Sequence, residues 1–284
     1  MSLPSDQFQP PAPTAWHARL RLDFAAGADR TILAHREQRG PLAVQRPFYP
    51  EGSPCHVYVL HPPGGLVGGD RLEIAVRVGE GAQALITTPG AAKLYRSIGP
   101  TAEQVQLLQV AAGGSLEWLP QENILFPGAR ARLRTELDLD PGAAFMGWEV
   151  HSLGRPAIGE RFESGRVDLG LRVRRSGVPL LLDRLRLADG QGLDGASGLR
   201  GYPVTGTLAA CPAGPEDLEA VRSRADLGSD SDLSWGVTLL GDLMVVRCLA
   251  RGSEPVHRHF RSVWSILRPR LLGRPACPPR IWAT

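Results

Sequence analysis

The string His61-Pro-Pro-Gly-Gly-Leu-Val-Gly-Gly-Asp70 has the residue types and spacing that come nearest to known chemistry. Four glycines, Gly64, Gly65, Gly68 and Gly69, allow positive φ angles and close backbone approach around two apolar residues. A phosphate-cradling loop needs a lysine after its last glycine and a helix beyond it. Asp70 holds that place and a strand pattern follows, so phosphate is repelled and nucleotide binding is excluded. What remains is a tight crossover, or a site built on Asp70.

A second string, Thr87-Thr88-Pro89-Gly90-Ala91-Ala92-Lys93-Leu94-Tyr95-Arg96-Ser97, ends a strand with hydroxyls. It carries the only lysine of a chain otherwise restricted to arginine. Either a compact ammonium is wanted there or the charge is incidental. Further carboxylates sit at Glu122, in the apolar, proline-bounded loop Glu117–Gly128, at Glu149 beside His151, and at Glu160 after Gly159. None forms an acid/base pair by spacing.

Metal and nucleophile patterns fare no better. His257-x-His259 and His56-x4-His61 each lack a nearby cysteine or third histidine, and such pairs are more often structural. Cys55, Cys211, Cys248 and Cys277 lie far apart, which argues against a zinc site and a disulfide framework. No Gly-x-Ser-x-Gly, His-Glu-x-x-His or Cys/His set occurs.

The elements that must position these residues read as short strands. Leu72, Ile74, Val76 and Val78 alternate with polar neighbours at the strand period of two. Gly79-Glu80-Gly81 turns the chain, and 82–88 reads as a returning strand. The pattern recurs from 105–110 into 115–119, and from Leu133, Leu137 and Leu139 into 144–150. Aligned on their turns, Val78-x-x-Gly81, Val110-x-x-Gly113 and Leu139-x-x-Gly142 repeat about every 30 residues, with a fainter copy at Phe24-x-x-Gly27. This predicts a mainly β protein of stacked antiparallel hairpins in a solenoid-like body. Strands continue at 167–173, 179–187 and 237–249. Two helices follow from periodicity: 215–225, and 256–272 with a stripe of Phe260, Val263, Trp264, Leu267 and Leu271. A polar loop, 228–232, lies between them. One domain over 17–284 is expected, after a disordered proline-rich segment, 1–16.

Composition narrows the class. Charged residues make 21% and apolar residues 43% of the chain, ordinary values for a globular core, and Gly 33 with Pro 25 favours turns. The net charge is +3. Arginines cluster at 172–175 and again along 258–280, but aromatics are only 6%, too few for the stacking that nucleic-acid surfaces use. The first residues lack the basic start and apolar run of a signal peptide, and no membrane-spanning stretch is read, so a cytoplasmic location is expected.

Together the strings 61–70, 87–97 and 116–128, with the ending Pro279-Arg280-Ile281-Trp282-Ala283-Thr284, resemble the urease accessory protein D family, called H in some bacteria. The resemblance spans essentially the whole chain. It implies a non-catalytic maturation factor for a nickel enzyme, binding apo-urease and accessory protein F, and through F the GTPase G. Such a factor holds no tightly bound cofactor, only nickel in transit. A conduit should offer scattered carboxylates and waters, since His/Cys chelation would trap the ion. By this resemblance the nickel-path candidates are Asp70, Glu149, Asp183, Glu122 and Glu160. The motif residues are Gly64, Gly65, Gly68, Gly69, Thr87, Thr88, Lys93 and Tyr95. Arg268, Arg270, Arg274, Arg280 and Trp282 are candidates for partner docking. A homodimer within the complex is allowed; no nucleic acid or membrane partner is expected. Two alternatives stay open: a docking scaffold that never touches nickel, and an arginine-rich RNA-binding β protein.

Overall fold

The computed structural model describes residues 15–223 and 231–283. Expectations for the first fourteen residues, for the helix end at Ala225, for Gly228–Asp230 and for Thr284 fall outside these. Numbered along the chain, the described strands make two sheets. The first has the order β16-β15-β12-β9-β6-β1-β2. Its members are β1 (His17–Ala26), β2 (Thr31–Arg39), β6 (Arg71–Val78), β9 (Ala102–Val110), β12 (Arg130–Leu139), β15 (Arg166–Arg175) and β16 (Val178–Ala188). The second follows β18-β19-β17-β13-β10-β7-β4-β3. It contains β3 (Ala43–Val44), β4 (Cys55–Leu60), β7 (Gln83–Thr87), β10 (Ser115–Leu119), β13 (Ala144–Arg155), β17 (Val204–Cys211), β18 (Leu233–Leu240) and β19 (Leu243–Ala250). Short strands β5 (Gly65–Leu66), β8 (Ala92–Leu94), β11 (Asn123–Leu125) and β14 (Glu160–Arg161) extend its margin.

The mainly β, solenoid-like body with two helices is as the sequence predicts, with one correction: the repeats are not antiparallel hairpins. After each glycine turn the chain crosses to the other sheet instead of folding back on itself. Thus β6, β9, β12 and β15 run parallel in one sheet, and β4, β7, β10 and β13 run parallel in the other. The turn backbones bond to the next turn along, Ala111 N to Val78 O at 2.9 Å and Ala144 N to Gly114 O at 2.9 Å. Alternation and a Gly turn are common to both arrangements, so the sequence pattern cannot tell them apart. The repeat register itself is real. Phe24 pairs with Val78, Val78 with Val110, and Val110 with Leu139, four copies on one rung. Gly81, Gly113 and Gly142 carry φ of +63°, +67° and +76°, a region that side chains disfavour.

Period-two burial fills the space between the sheets with Leu20, Leu22, Val57, Val76, Leu116 and their neighbours. A second core lies under α2 (Ser253–Leu272), where Val256, Phe260, Val263, Trp264 and Leu267 pack on the outer face of β13, β17 and β19. A Cβ on Gly206 would lie 2.7 Å from Val256 Cγ1, so this glycine sets how closely the helix approaches. Helix α1 (Pro215–Arg222) packs beside α2 and β18. Among the described residues no helix is long and apolar enough to cross a membrane.

Candidate functional site

Strand β13 turns Trp148 and Val150 toward α2, and therefore turns Glu149 and His151 toward the first sheet. Glu149 lines two cavities. One, of about 430 Å³, also takes walls from His151, Asp183, Thr205, Thr207 and Arg247. The other, of about 220 Å³, runs under the loop Thr88–Ala92 and is walled by His61, Leu72, Gln104, Gln106 and Trp118. The two spaces share the Glu149 wall.

Polar side chains surround that carboxylate. The Thr135 hydroxyl on β12 lies within hydrogen-bond reach of both Glu149 Oε1 and Gln106 Oε1, the latter at 2.8 Å. A hydroxyl has one proton to donate, so Thr135 serves one of these acceptors, and both contacts are satisfied together when Gln106 turns its amide NH2 to the Thr135 oxygen. His151 Nε2 is 3.8 Å from Glu149 Oε2, and His151 Nδ1 is 3.4 Å from Asn123 Nδ2. The indole Nε1 of Trp118 is buried and makes no hydrogen bond to the protein. Around Glu149 the site therefore presents one carboxylate, one imidazole and several neutral dipoles to a small polar or cationic guest, and the larger cavity adds Asp183, Arg184 and Arg247 farther along its walls. Among the described residues no three His, Cys, Asp or Glu side chains gather as a metal-holding group.

The other sequence candidates scatter. Asp183 lines the larger cavity but pairs with Arg247 at 3.0 Å. Asp70 is buried and caps its own loop, accepting hydrogen bonds from Trp16 N and Val67 N, each at 2.9 Å. It lines neither cavity. Glu122 accepts from His257 Nε2 at 3.0 Å and Ser253 Oγ at 3.2 Å. Burial alone would raise its pKa, but these partners outweigh burial and hold it below the usual carboxylate range. Glu160 forms a two-pronged pair with Arg155, at 2.6 and 2.8 Å, on the exposed margin.

The motif residues are structural in place. A Cβ on Gly68 would lie 2.1 Å from Ser97 Oγ and 2.7 Å from Pro100 O, and one on Gly65 would lie 2.3 Å from Tyr95 Cε2. Gly64 and Gly69 have φ of +74° and +95°. Gly68 thus owes its identity to crowding, and Gly64 to conformation alone, since no atom lies within 4 Å of its Cβ direction. Gly68→Val should cost about 1–3 kcal/mol by overpacking, and Gly64→Ala about 1 kcal/mol by backbone strain. Equilibrium denaturation checks both; an unchanged midpoint for Gly68→Val contradicts the crowding account. Thr87 Oγ1 donates to Leu119 O at 2.6 Å, and Thr88 Oγ1 accepts from Gln121 N at 2.9 Å. Tyr95 packs on Phe126 at 5.0 Å between ring centroids, and Lys93 is exposed.

The docking candidates need the largest correction. Arg268 is fully buried, because it falls on the same helical stripe as Phe260 and Trp264. Trp282 packs against Trp148 and Trp264 at 5.7 and 5.5 Å and donates to Thr87 Oγ1 at 3.2 Å. The tail is part of the fold, so it is not a detachable docking arm. Arg270 holds Asp217 of α1 at 2.5 Å, and Arg274 binds Gln83. Arg280 is exposed. Sequence reasoning passed over Thr135 and noted His151 only as a neighbour of Glu149; His151 stands two residues from Glu149 and so shares its face, a signal that period two supplies.

The family model described as UreD urease accessory protein matches residues 17–283. Among curated proteins the chain is similar to urease accessory proteins UreD of Pseudomonas putida. With strain GB-1 it shares 50% identity over the whole of both chains, and with strain W619 49% over 95% of each. With the protein of that description from Alkalilimnicola ehrlichii it shares 47% over 96% of each.

Proposed function

This chain belongs to the UreD urease accessory protein family, and from that premise we propose that it binds apo-urease with accessory proteins F and G and passes nickel to the enzyme through its body. The observation that carries this reading is the single carboxylate, Glu149, standing in the wall common to both cavities. A divalent ion entering an apolar body loses hydration at a cost of several kcal/mol or more. One carboxylate with neutral dipoles offsets part of that cost without the affinity of a His/Cys cage, so the ion can leave again. Leu72, Ile74 and Leu42 give the smaller cavity walls that offer the ion nothing to bind. Asp183 contributes less, because Arg247 neutralises it. The chain acts without turning over a substrate of its own.

The direct test is nickel uptake by purified apo-urease given nickel, F and G with GTP, with and without this chain. Nickel per active site should rise when the chain is added. Equal uptake without it would overturn the reading.

A further inference from the structure

Charge on the outer face of the first sheet is sorted along the strands. Reading across the sheet by register, one rung carries Arg71, Glu103, Arg132, Asp168 and Arg186. The next carries Arg39, Arg19, Glu73, Arg134 and Arg184, and the strand starts of β12 and β15 add Arg130 and Arg166. Nine arginines meet three carboxylates on this half of the face, although the whole chain is only +3. On the two rungs toward the other end, Arg21, Arg77, Arg172 and Arg174 meet Asp23, Glu37, Glu136 and Asp138, and charge balances. The excess is therefore local, not spread over the surface.

The basic half adjoins the glycine loop. Asp70 directly precedes β6, Gly69 N bonds to Thr101 O at 3.2 Å, and Arg130 Nη1 donates to Gly99 O at 3.3 Å. At that same end Ile98 is 95% exposed and Val67 is 44% exposed. Beside Arg130, which has no carboxylate partner among the described residues, Ile98 and Val67 together offer an apolar tip that a partner's pocket can take out of water.

We propose that this end of the first sheet is a docking surface for an acidic protein face with an apolar pocket that receives Ile98. Glu73, Glu103 and Asp168 stand among the arginines, each bonded to them, so the face is a mixed-charge mosaic and not a continuous basic track along which a phosphate backbone would run. No Phe, Tyr or Trp lies on these rungs to stack a base. Mixed charge around an apolar centre instead matches a protein interface, where arginine is enriched. The choice of partners to test rests on the maturation reading above.

Arg39, Arg130 and Arg166 have no carboxylate partner among the described residues, so Arg39→Glu, Arg130→Glu and Arg166→Glu together leave the ion pairs of the sheet intact. The full chain, this triple variant and Ile98→Ser are titrated separately against urease apoprotein, F and G at 50 and 300 mM salt, with heparin and RNA as polyanion probes. For one of the three proteins both variants should raise the dissociation constant at least tenfold, about 1.4 kcal/mol, with melting unchanged. The triple variant should also flatten the salt dependence. Wild-type affinity of both variants for every partner that binds would overturn the proposal while leaving the maturation reading intact. So would a triple variant that loses heparin and RNA but no protein. A wild-type chain that binds none of the three would sink the maturation reading and this proposal with it.

Discussion

Arg268→Ala should destabilise this protein severely, with a larger loss of stability than either Gly68→Val or Gly64→Ala. The guanidinium is fully buried, with Nε at 3.0 Å from Glu117 Oε2, Nη2 at 2.6 Å from Glu51 Oε1, and Nη1 on the Pro275 carbonyl. Glu117 also accepts from Trp264 Nε1 at 2.6 Å, and Glu51 lies 2.6 Å from His56 Nε2. Burial works against the charge on Arg268, yet the two carboxylates overcome it and raise its pKa further. Burial likewise pushes the Glu51 carboxyl up, and the Arg268 and His56 contacts outweigh it, so its pKa lies below the usual value. Removing the arginine strands both carboxylates without a cation. Breaking a buried pair this way costs about 3–5 kcal/mol, or roughly 6–20 °C of melting temperature in a domain of this size. The cluster ties α2, the tail at Pro275, the loop of Glu51 and strand β10 into one knot, so the loss should spread through the second core.

The origin of that cost can be separated from simple cavity formation. Arg268→Met combined with Glu51→Gln and Glu117→Gln keeps volume and removes every uncompensated charge. It should recover much of the stability that Arg268→Ala loses, because buried ion clusters replaced whole are often close to neutral. A melting temperature for Arg268→Ala within about 2 °C of wild type would contradict the account. Equal losses in the single and triple variants would point to packing instead of charge.

How far the sequence foretells these features depends on the range over which each is encoded. The rung of Phe24, Val78, Val110 and Leu139 is local, because alternation and a positive-φ glycine fix it within a few residues. Strand direction is not local: whether Gly81 returns the chain beside β6 or sends it across to β7 depends on which strand it meets next. Arg268 shows the same divide. Its spacing from Phe260 and Trp264 already marks it as inward-facing, against its charge, and the sequence reading followed the charge. Its partners Glu117 and Glu51 lie 151 and 217 residues away, where no spacing rule reaches. Asp70 is the opposite case: a carboxylate in a glycine bend reads as a site, and only the tertiary structure shows that two backbone amides, Trp16 N and Val67 N, donate to it. Glu149 and Asp183 were singled out with equal weight, and only tertiary pairing separates them: Arg247 takes Asp183, while Glu149 has the Thr135 hydroxyl and, at 3.8 Å, His151 beside it and faces both cavities.

That difference makes Glu149→Gln the second change with a large expected effect, this time on function with the fold kept. The amide has the same shape and can still bond Thr135, so stability should hold within about 0.5 kcal/mol. The cation loses the carboxylate in the shared wall, which has no arginine partner among the described residues. A unit charge pair at about 4 Å and an effective dielectric near 20 is worth about 4 kcal/mol. Losing even about 1.4 kcal/mol of that at the shared wall slows passage about tenfold. Asp183→Asn removes a carboxylate already neutralised by Arg247 and should change passage much less. The decisive measurement is the nickel content per active site of urease matured for a fixed short time by wild-type chain and by Glu149→Gln, each shown to bind urease equally. The account predicts roughly tenfold less nickel with Glu149→Gln; nickel loading equal to wild type by a folded, urease-bound Glu149→Gln chain would contradict it.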